Sequence, residues 1–430
     1  MRRPGPLAAL VCEGFTSRLA FGLLSFALPL YGRSLGLSVA AIAVLVSLQP
    51  VVAIVLKPAL GRSADRMGLR RGLLVGLVLR SVISLGYMLA TVPWQLYAVR
   101  GVHGASDAVR DPAVNALIAE NGGEKAVASA FAWYQTAKTT AGAVGTSIAG
   151  VLLTWGGGGF GLTFAAAFAL SLLPALPVLL LVPRDSAQPH PIRVAETPAA
   201  LADAAPPTGR PPVVRYAGLG FLVSGTSSML TSLFPILATE YAHLTPAQAG
   251  ALYLVTPALA FTGPIWGRLA DRVSRSVVLA VRSVANAGSA LVYLLAPNLV
   301  GLWLGKSIDD LGKAAFRPAW GSLMADVASQ DRRTRARTMA YLTAAEDAGG
   351  AVAPLLAGLL WTGFGVPAAL LGRVGLALIA EAYAIRLAHG GASSGQGRPR
   401  TTRLRGPDRA ISVDRRHPSS PSREDRPTSE

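Results

Sequence analysis

A chain of 430 residues with 51% hydrophobic and 15% charged residues and a mean hydropathy of +0.44 carries less charge than a soluble domain, for which about 25% is usual. Its net charge of +17 does not mark a nucleic-acid binder, because the basic residues cluster in the tail and in alternate loops. The single cysteine, Cys12, excludes an internal disulfide.

A helix that crosses a bilayer needs about 20 mostly apolar residues. On that measure the chain is predicted to cross twelve times, at 7–31, 38–60, 72–91, 94–118, 127–153 and 160–182, then at 214–239, 246–266, 276–296, 299–325, 336–360 and 363–386. The opening MRRPGPLAALVC looks faintly like a leader. Glu13 and Arg18 interrupt its apolar run, and Val11 is bulky for the position before a lipidated cysteine, so it reads as the first membrane helix. Basic residues cluster at Arg2 and Arg3, in 61–71, 184–215, 268–275 and 332–337, and in the tail. The alternate loops near 91–95, 154–160, 240–248, 296–299 and 361–367 hold no Lys or Arg, and Arg33 alone breaks the pattern. That asymmetry places both termini in the cytoplasm. The domains expected are an N-terminal six-helix bundle (1–182), a cytoplasmic linker rich in Pro, Ala and Arg (183–213), a C-terminal six-helix bundle (214–386) and a disordered basic tail (387–430). The tail can meet acidic lipid head groups.

The halves repeat. Gly61-Arg62-Ser63-Ala64-Asp65-Arg66 recurs as Gly267-Arg268-Leu269-Ala270-Asp271-Arg272, 206 positions on. At the same offset Pro112-Ala113 recurs as Pro318-Ala319, Arg100 as Lys306 and Trp155 as Trp361. Duplicated apolar halves are a parallel-repeat membrane architecture, and such architectures are mostly transporters. Small residues are dense in the fifth span (Gly142, Gly145, Ala149, Gly150) and the eleventh (Gly349, Gly350, Ala353, Ala357, Gly358), which suits either close packing or a sliding surface between halves.

The loop after the second span reads G-x-x-x-D-R-x-G-x-R-R, with Gly61, Asp65, Arg66, Gly68, Arg70 and Arg71. Its second copy keeps Gly267, Asp271 and Arg272 but has Ser274 where the second glycine would stand. With Arg100-x-x-His103-Gly104 in the fourth span, and the stretch from Arg110-Asp111-Pro112 to Ala116-Leu117-Ile118, the chain resembles the major facilitator superfamily over about residues 7–386. The resemblance implies an all-α membrane fold of twelve helices in two six-helix pseudo-repeats. It further implies that the first, fourth, seventh and tenth helices surround a central cavity, and that the loop ties the halves together on the cytoplasmic side. Asp65 can accept hydrogen bonds from a helix N-terminus, Arg70 and Arg71 can pair with carboxylates or lipid phosphates, and Gly68 permits a tight turn. One departure bears on substrate. Drug/proton antiporters of the family carry G-P-x-x-G-G in the fifth helix, where this chain has Gly145-Thr146-Ser147-Ile148-Ala149-Gly150; Ala353-Pro354-Leu355-Leu356-Ala357-Gly358 in the eleventh is a closer echo.

Charges inside the spans carry the functional information. The fourth holds Arg100, His103, Asp107, Arg110 and Asp111; the tenth holds Lys306, Asp309, Asp310, Lys313 and Arg317. Positions 100, 103, 107 and 110 share a helix face, as do 306, 310, 313 and 317. Each charge at the bilayer centre costs about 2.5–3.5 kcal/mol, so these groups must face a cavity or one another. Glu13 and Arg18 in the first span, Lys138 in the fifth and Glu346 and Asp347 in the eleventh join them. Over these five spans the charges cancel, which favours internal pairing; Arg80, Arg282 and Arg373 lie in other spans with no partner evident from sequence. Asp107 is either a proton carrier or the static partner of Lys138 or an arginine. In Asp309-Asp310 one carboxylate pairs with Lys306 or Lys313, leaving the other to carry a proton, and Glu346-Asp347 offers the same chemistry. His103 either titrates or packs against a neighbouring helix. Arg18 and Arg100 either bind an anionic substrate or balance the acids. Ser224, Thr226, Ser227, Ser228, Thr231 and Ser232 in the seventh span either line the cavity or satisfy backbone carbonyls.

The function expected is secondary active transport of a small solute by alternating access, as proton-coupled efflux (antiport). Proton symport or uniport is the alternative, and a non-transporting membrane sensor or scaffold the alternative from another class. No P-loop, metal-ligand cluster or nucleophile with histidine is present, and His103, His190, His243, His389 and His417 are scattered, so neither enzyme activity, a metal nor another cofactor is expected. The partners expected are solute, protons and membrane lipids, not nucleic acid. High Ala, Arg and Gly content points to a GC-rich genome and hence to a bacterial cytoplasmic membrane.

Overall fold

The structure is a computed structural model. It describes residues 5–121, 127–182, 213–263, 265–266, 269, 275–329 and 335–393; side chains are described except at 58, 61–66, 127–128, 275–279, 329, 335–337 and 388–393. The chain divides into a body, Met1–His389, and a C-terminal unit, Gly390–Glu430. The linker 183–212 and the tail from 394 lie outside the described residues.

Every described element is helical. In the first half these are α1 (Pro6–Ser34), α2 (Val39–Met67), α3 (Leu69–Leu89), α4 (Pro93–Asn121), α5 (Val127–Trp155), α6 (Gly161–Leu172) and α7 (Ala175–Leu181). In the second they are α8 (Val213–Ser228), α9 (Phe234–Ile236), α10 (Pro246–Ala251), α11 (Val255–Ala260), α12 (Arg275–Leu295), α13 (Leu299–Ser329), α14 (Arg335–Phe364) and α15 (Val366–Ser393). A π-helical turn at Leu237–Tyr241 extends α9, and a 3₁₀ turn at Leu252–Leu254 joins α10 to α11. Among the described residues five helical stretches are long and apolar enough to cross a membrane: Pro6–Ser34, Val39–Lys57, Leu69–Leu89, Gly161–Leu181 and Val366–Leu387. The charge-bearing α4 and α13 are not among them. Large apolar side chains face outward on many helices, among them Val55, Val78, Val284 and Leu295, as lipid-facing surfaces require.

Three predicted spans are broken, each at a proline. Pro174 separates α6 from α7, Pro235 follows the unwound stretch 229–233, and Pro257 follows the 3₁₀ turn. Proline lacks the N–H that would bond the carbonyl four residues earlier. The predicted loop 61–71 is also corrected. Helix α2 runs through the motif to Met67, α3 begins at Leu69, and Gly68 (φ +90°) is the whole turn between them. That left-handed conformation is the one expected of a glycine.

The halves meet toward one end. There, where α1, α5 and α14 finish and α2 and α10 begin, one apolar core draws on both halves, with Leu28, Ile42 and Leu153 beside Leu233, Leu252 and Ala357. Toward the opposite end the cores are separate: Leu10, Leu73, Val114 and Val178 in the first half, Leu219, Phe316 and Trp320 in the second. The small residues explain both kinds of contact. Gly145 packs against the Leu19 carbonyl of α1 and Gly349 against the Phe221 carbonyl of α8, within their halves. Farther along the same helices Gly150 meets Pro246 and Gly250, and Gly358 meets Ala40 and Ala43, across the halves. Ser147 donates to the Gly250 carbonyl (2.9 Å), and the Ala40 and Ala247 N–H groups donate to Thr362 (2.9 Å) and Thr154 (3.0 Å). Arg33, the exception in the charge pattern, holds Glu240 of the other half through two bonds of 2.7 and 3.1 Å.

Candidate functional site

Two buried charge networks lie deep in the bundle, one per half. In the first, Arg110 of α4 donates to Glu13 of α1 at 2.5 and 3.1 Å, to Tyr134 of α5 at 3.0 Å and to Asp111 at 3.1 Å. Glu13 is 0% and Arg110 2% exposed, so the pair is fully removed from solvent. Asp107 accepts from Arg80 of α3 and Gln49 of α2, both at 2.5 Å, and Arg80 also donates to Ser17 at 2.6 Å. Asp107 is therefore partnered by an arginine, not by Lys138.

In the second half Asp309 of α13 is gripped from three helices: by Arg373 of α15 at 2.5 Å, Lys313 one turn on at 2.6 Å and Arg282 of α12 at 3.3 Å. Asp310 accepts from Lys306 at 2.5 Å, Thr256 at 2.6 Å and Lys313 at 3.3 Å. Both carboxylates are occupied, contrary to the expectation that one stays free. Arg373 also donates to Ser289 (2.9 Å), Asn286 (3.0 Å) and the Thr226 carbonyl (3.0 Å), which the unwinding after Ser228 leaves available. Each half thus ties an arginine of its third helix (Arg80, Arg282) to an aspartate of its fourth (Asp107, Asp309). Sequence reasoning left these arginines and Arg373 without partners, because their acids lie on other helices. They lie outside the five spans whose charges cancel, and they add three positive charges to the acids of those spans.

The other expected residues divide. Arg100 is buried against the Val46 carbonyl of α2 (3.5 Å) and does not line the charged cavity described below. His103 sits edge-on to Phe21 (5.6 Å between ring centres) and beside Tyr87 (6.2 Å), in packed surroundings. Thr226, Ser227 and Thr231 donate to carbonyls four residues earlier, at 2.5, 2.9 and 2.9 Å. Glu346 accepts from the Trp320 indole at 3.1 Å. Asp347 lies 3.6 Å from Lys57 of α2, an ionic contact between halves. Of the loop motif, Arg70 donates to the Leu179 carbonyl in the last turn of α7 (3.0 Å), within its own half. There a cation complements the negative end of a helix. The side chains of Gly61, Asp65 and Arg66, and all of Gly267, Asp271 and Arg272, lie outside the described residues.

A cavity of about 110 Å³ opens among Arg18, Phe21, Arg80, Asp107, Asp111 and Lys138. Its lining comes wholly from α1 to α5. Arg18 lies over the Phe21 ring (4.3 Å) and Lys138 over the Tyr134 ring (5.2 Å). A second, smaller cavity of about 30 Å³ borders Asp309, Lys313 and Arg373. Among the described residues no group of His, Cys, Asp and Glu is arranged to hold a metal ion.

Paired helical halves that share an apolar core at one end, each with its own buried charge network, are the architecture of a membrane transporter. The sequence model of the Major Facilitator Superfamily matches residues 10–305 and, again, 216–403. The chain belongs to that superfamily, whose members are multi-pass membrane transporters and not enzymes. It is 29% identical over 140 residues to the multidrug resistance protein MdtG of Enterobacter lignolyticus (strain SCF1), and 28% identical over 140 residues to MdtG of Salmonella arizonae. The aligned stretch is 32% of this chain and 34–35% of those proteins, so the match spans about a third of the relatives' length. The fold is similar to a bacterial homologue of the human lysosomal transporter Spinster, crystallised inward-facing and occupied: TM-score 0.71, 16% identity, 89% of this chain and 96% of that one. It is also similar to the nucleoside transporter NupG, with TM-score 0.69, 14% identity and coverage of 91% and 100%.

Proposed function

We propose that the chain is a proton-coupled efflux transporter of the bacterial cytoplasmic membrane, with twelve spans, a cytoplasmic linker at 183–213 and both termini inside. The observation that carries the reading is the single core shared by the two halves at one end, opposed by separate cores at the other. A bundle joined at one end only is half of an alternating-access cycle. The joined end is the one whose loops, Arg33 apart, lack Lys and Arg, so the charge rule makes it the outer end and the state inward-facing. The relation to MdtG favours efflux.

We assign proton coupling to Asp347, with Glu346 beside it. Asp107, Asp309 and Asp310 are each held by cations at 2.5–2.6 Å, which favours their charged form. Asp347 has one cation at 3.6 Å, on the opposite half, so a proton taken up there releases a tie between the halves. The test is purified protein in liposomes with a pH-sensitive dye inside, screened against pooled solutes under an imposed proton gradient. Solute-dependent proton movement lost in Asp347→Asn is the expected result, and its sign separates antiport from symport. Solute flux without proton movement would make the chain a uniporter and its buried acids structural.

A further inference from the structure

The two networks differ in one respect that bears on substrate. In the second half every cation bordering the small cavity is tied to a carboxylate: Lys306 to Asp310, Lys313 to both acids, Arg373 to Asp309. In the first half four cations, Arg18, Arg80, Arg110 and Lys138, line the larger cavity with two acids, Asp107 and Asp111. Asp107 is taken by Arg80, and Asp111 by Arg110, which also holds Glu13. Arg18 and Lys138 enter no ion pair and make no hydrogen bond among the described residues. We propose that this cavity binds a small organic anion by its carboxylate, held between Arg18 and Lys138.

The geometry around Arg18 suits that task. Its guanidinium lies over the Phe21 ring, 4.3 Å from the ring centre, a contact that holds it at the cavity wall. Gly142 of α5 leaves room beside it, since a Cβ there would stand 3.2 Å from the Arg18 Nε. A guanidinium so held can take a carboxylate through two parallel hydrogen bonds. Lys138 supplies a second point charge on a flexible stem. A volume of about 110 Å³ admits the acid head group, and Phe21 in its wall offers an apolar face to the body of the solute. Four cations stand here with three acids, Asp107, Asp111 and Glu13, and a net positive charge in the membrane interior is costly; an entering anion relieves that cost, whereas a cationic solute adds to it.

The inference deepens the transporter reading, but its test needs no flux. Protein in phosphatidylcholine nanodiscs is melted with benzoate, salicylate and phenylacetate, each set against its own neutral amide at matched ionic strength. The expected result is a rise in melting temperature with at least one acid and none with its amide. Arg18→Gln and Lys138→Gln each weaken that response at least tenfold. Arg18→Lys, which keeps the charge, retains part of it, and Arg215→Gln, on the surface of α8, leaves it unchanged. Unliganded melting within a few degrees of the parent certifies that each variant is folded. Acids that act no more strongly than their amides, or a full response in Arg18→Gln, would overturn the proposal. So would loss of the response when phosphatidylglycerol replaces a third of the lipid, which would assign the site to a lipid head group. A protein that binds the acids but carries no solute contradicts the transport reading alone. One that carries neutral solutes and ignores the acids contradicts only the anion site.

Discussion

Arg110 and Glu13 illustrate how single residues keep charge inside this bundle. Both are buried, and removing one partner strands the other. Arg110→Gln is expected to destabilise the protein by about 3–5 kcal/mol, the usual cost of an uncompensated buried charge. Asp309→Asn belongs to the same class, because it leaves Arg282 and Arg373 facing one another without their shared acid. Asp111→Asn, whose side chain is 38% exposed, should cost about 0–1 kcal/mol. Chemical unfolding in detergent ranks the three, and equal losses for Asp111→Asn and Asp309→Asn would refute the networks as drawn. Sequence made part of this legible. Lys306 with Asp310, and Asp309 with Lys313, are one helical turn apart, so spacing alone proposes them. The partners of Arg80, Arg282 and Arg373 are separated by 27 to 64 positions, and helix periodicity says nothing about such pairs. The available signal was energetic: an arginine in a span must find an acid.

Among the elements, α5 and α14 each do two jobs along their length. Their earlier small residues let α1 and α8 approach within a half; their later ones let the halves approach each other. The two positions should fail differently. Gly145→Val drives a side chain into the Leu19 carbonyl and should lower the yield of folded protein. Gly358→Val presses on Ala40 and Ala43 across the halves and should leave each half folded while favouring an open outer end. Ala249→Cys, buried beside α5 in a Cys12→Ser background, reports this. Its maleimide reactivity should rise severalfold with Gly358→Val, and an unchanged rate would mean that the contact does not control closure. The sequence foresaw both readings of these small residues without telling which position served which. It located the five long apolar stretches, but not the breaks at Pro235 and Pro257 or the continuation of α2 through the motif. Apolar content registers a span, whereas a kink depends on where freed carbonyls find donors, as Thr226 does with Arg373.

For the whole molecule, the proposed function makes the structure one state of a two-state device, closed at the end that charge asymmetry makes the outer one. The Arg33–Glu240 tie is 36–39% exposed, so its worth is about 0–1 kcal/mol. Arg33→Gln should therefore shift the open population at most about fivefold and should not abolish transport. Abolition would mean that this contact, and not the shared apolar core, governs closure. On that proposal the direction of the pH response follows from Asp347. Its charged form ties to Lys57 in the state closed outside, so protonation at low pH removes that tie and the outer end should open more often.

Alternating access coupled to a proton requires that the distance across the outer end change with pH. Spin labels at Thr91→Cys and Pro297→Cys, exposed turn positions related by the internal repeat, span the two halves in a Cys12→Ser background in nanodiscs. Two distances are expected across pH 5 to 9, the longer gaining share at low pH and losing that response in Asp347→Asn. A single distance at every pH would rule out such a cycle and leave a rigid scaffold.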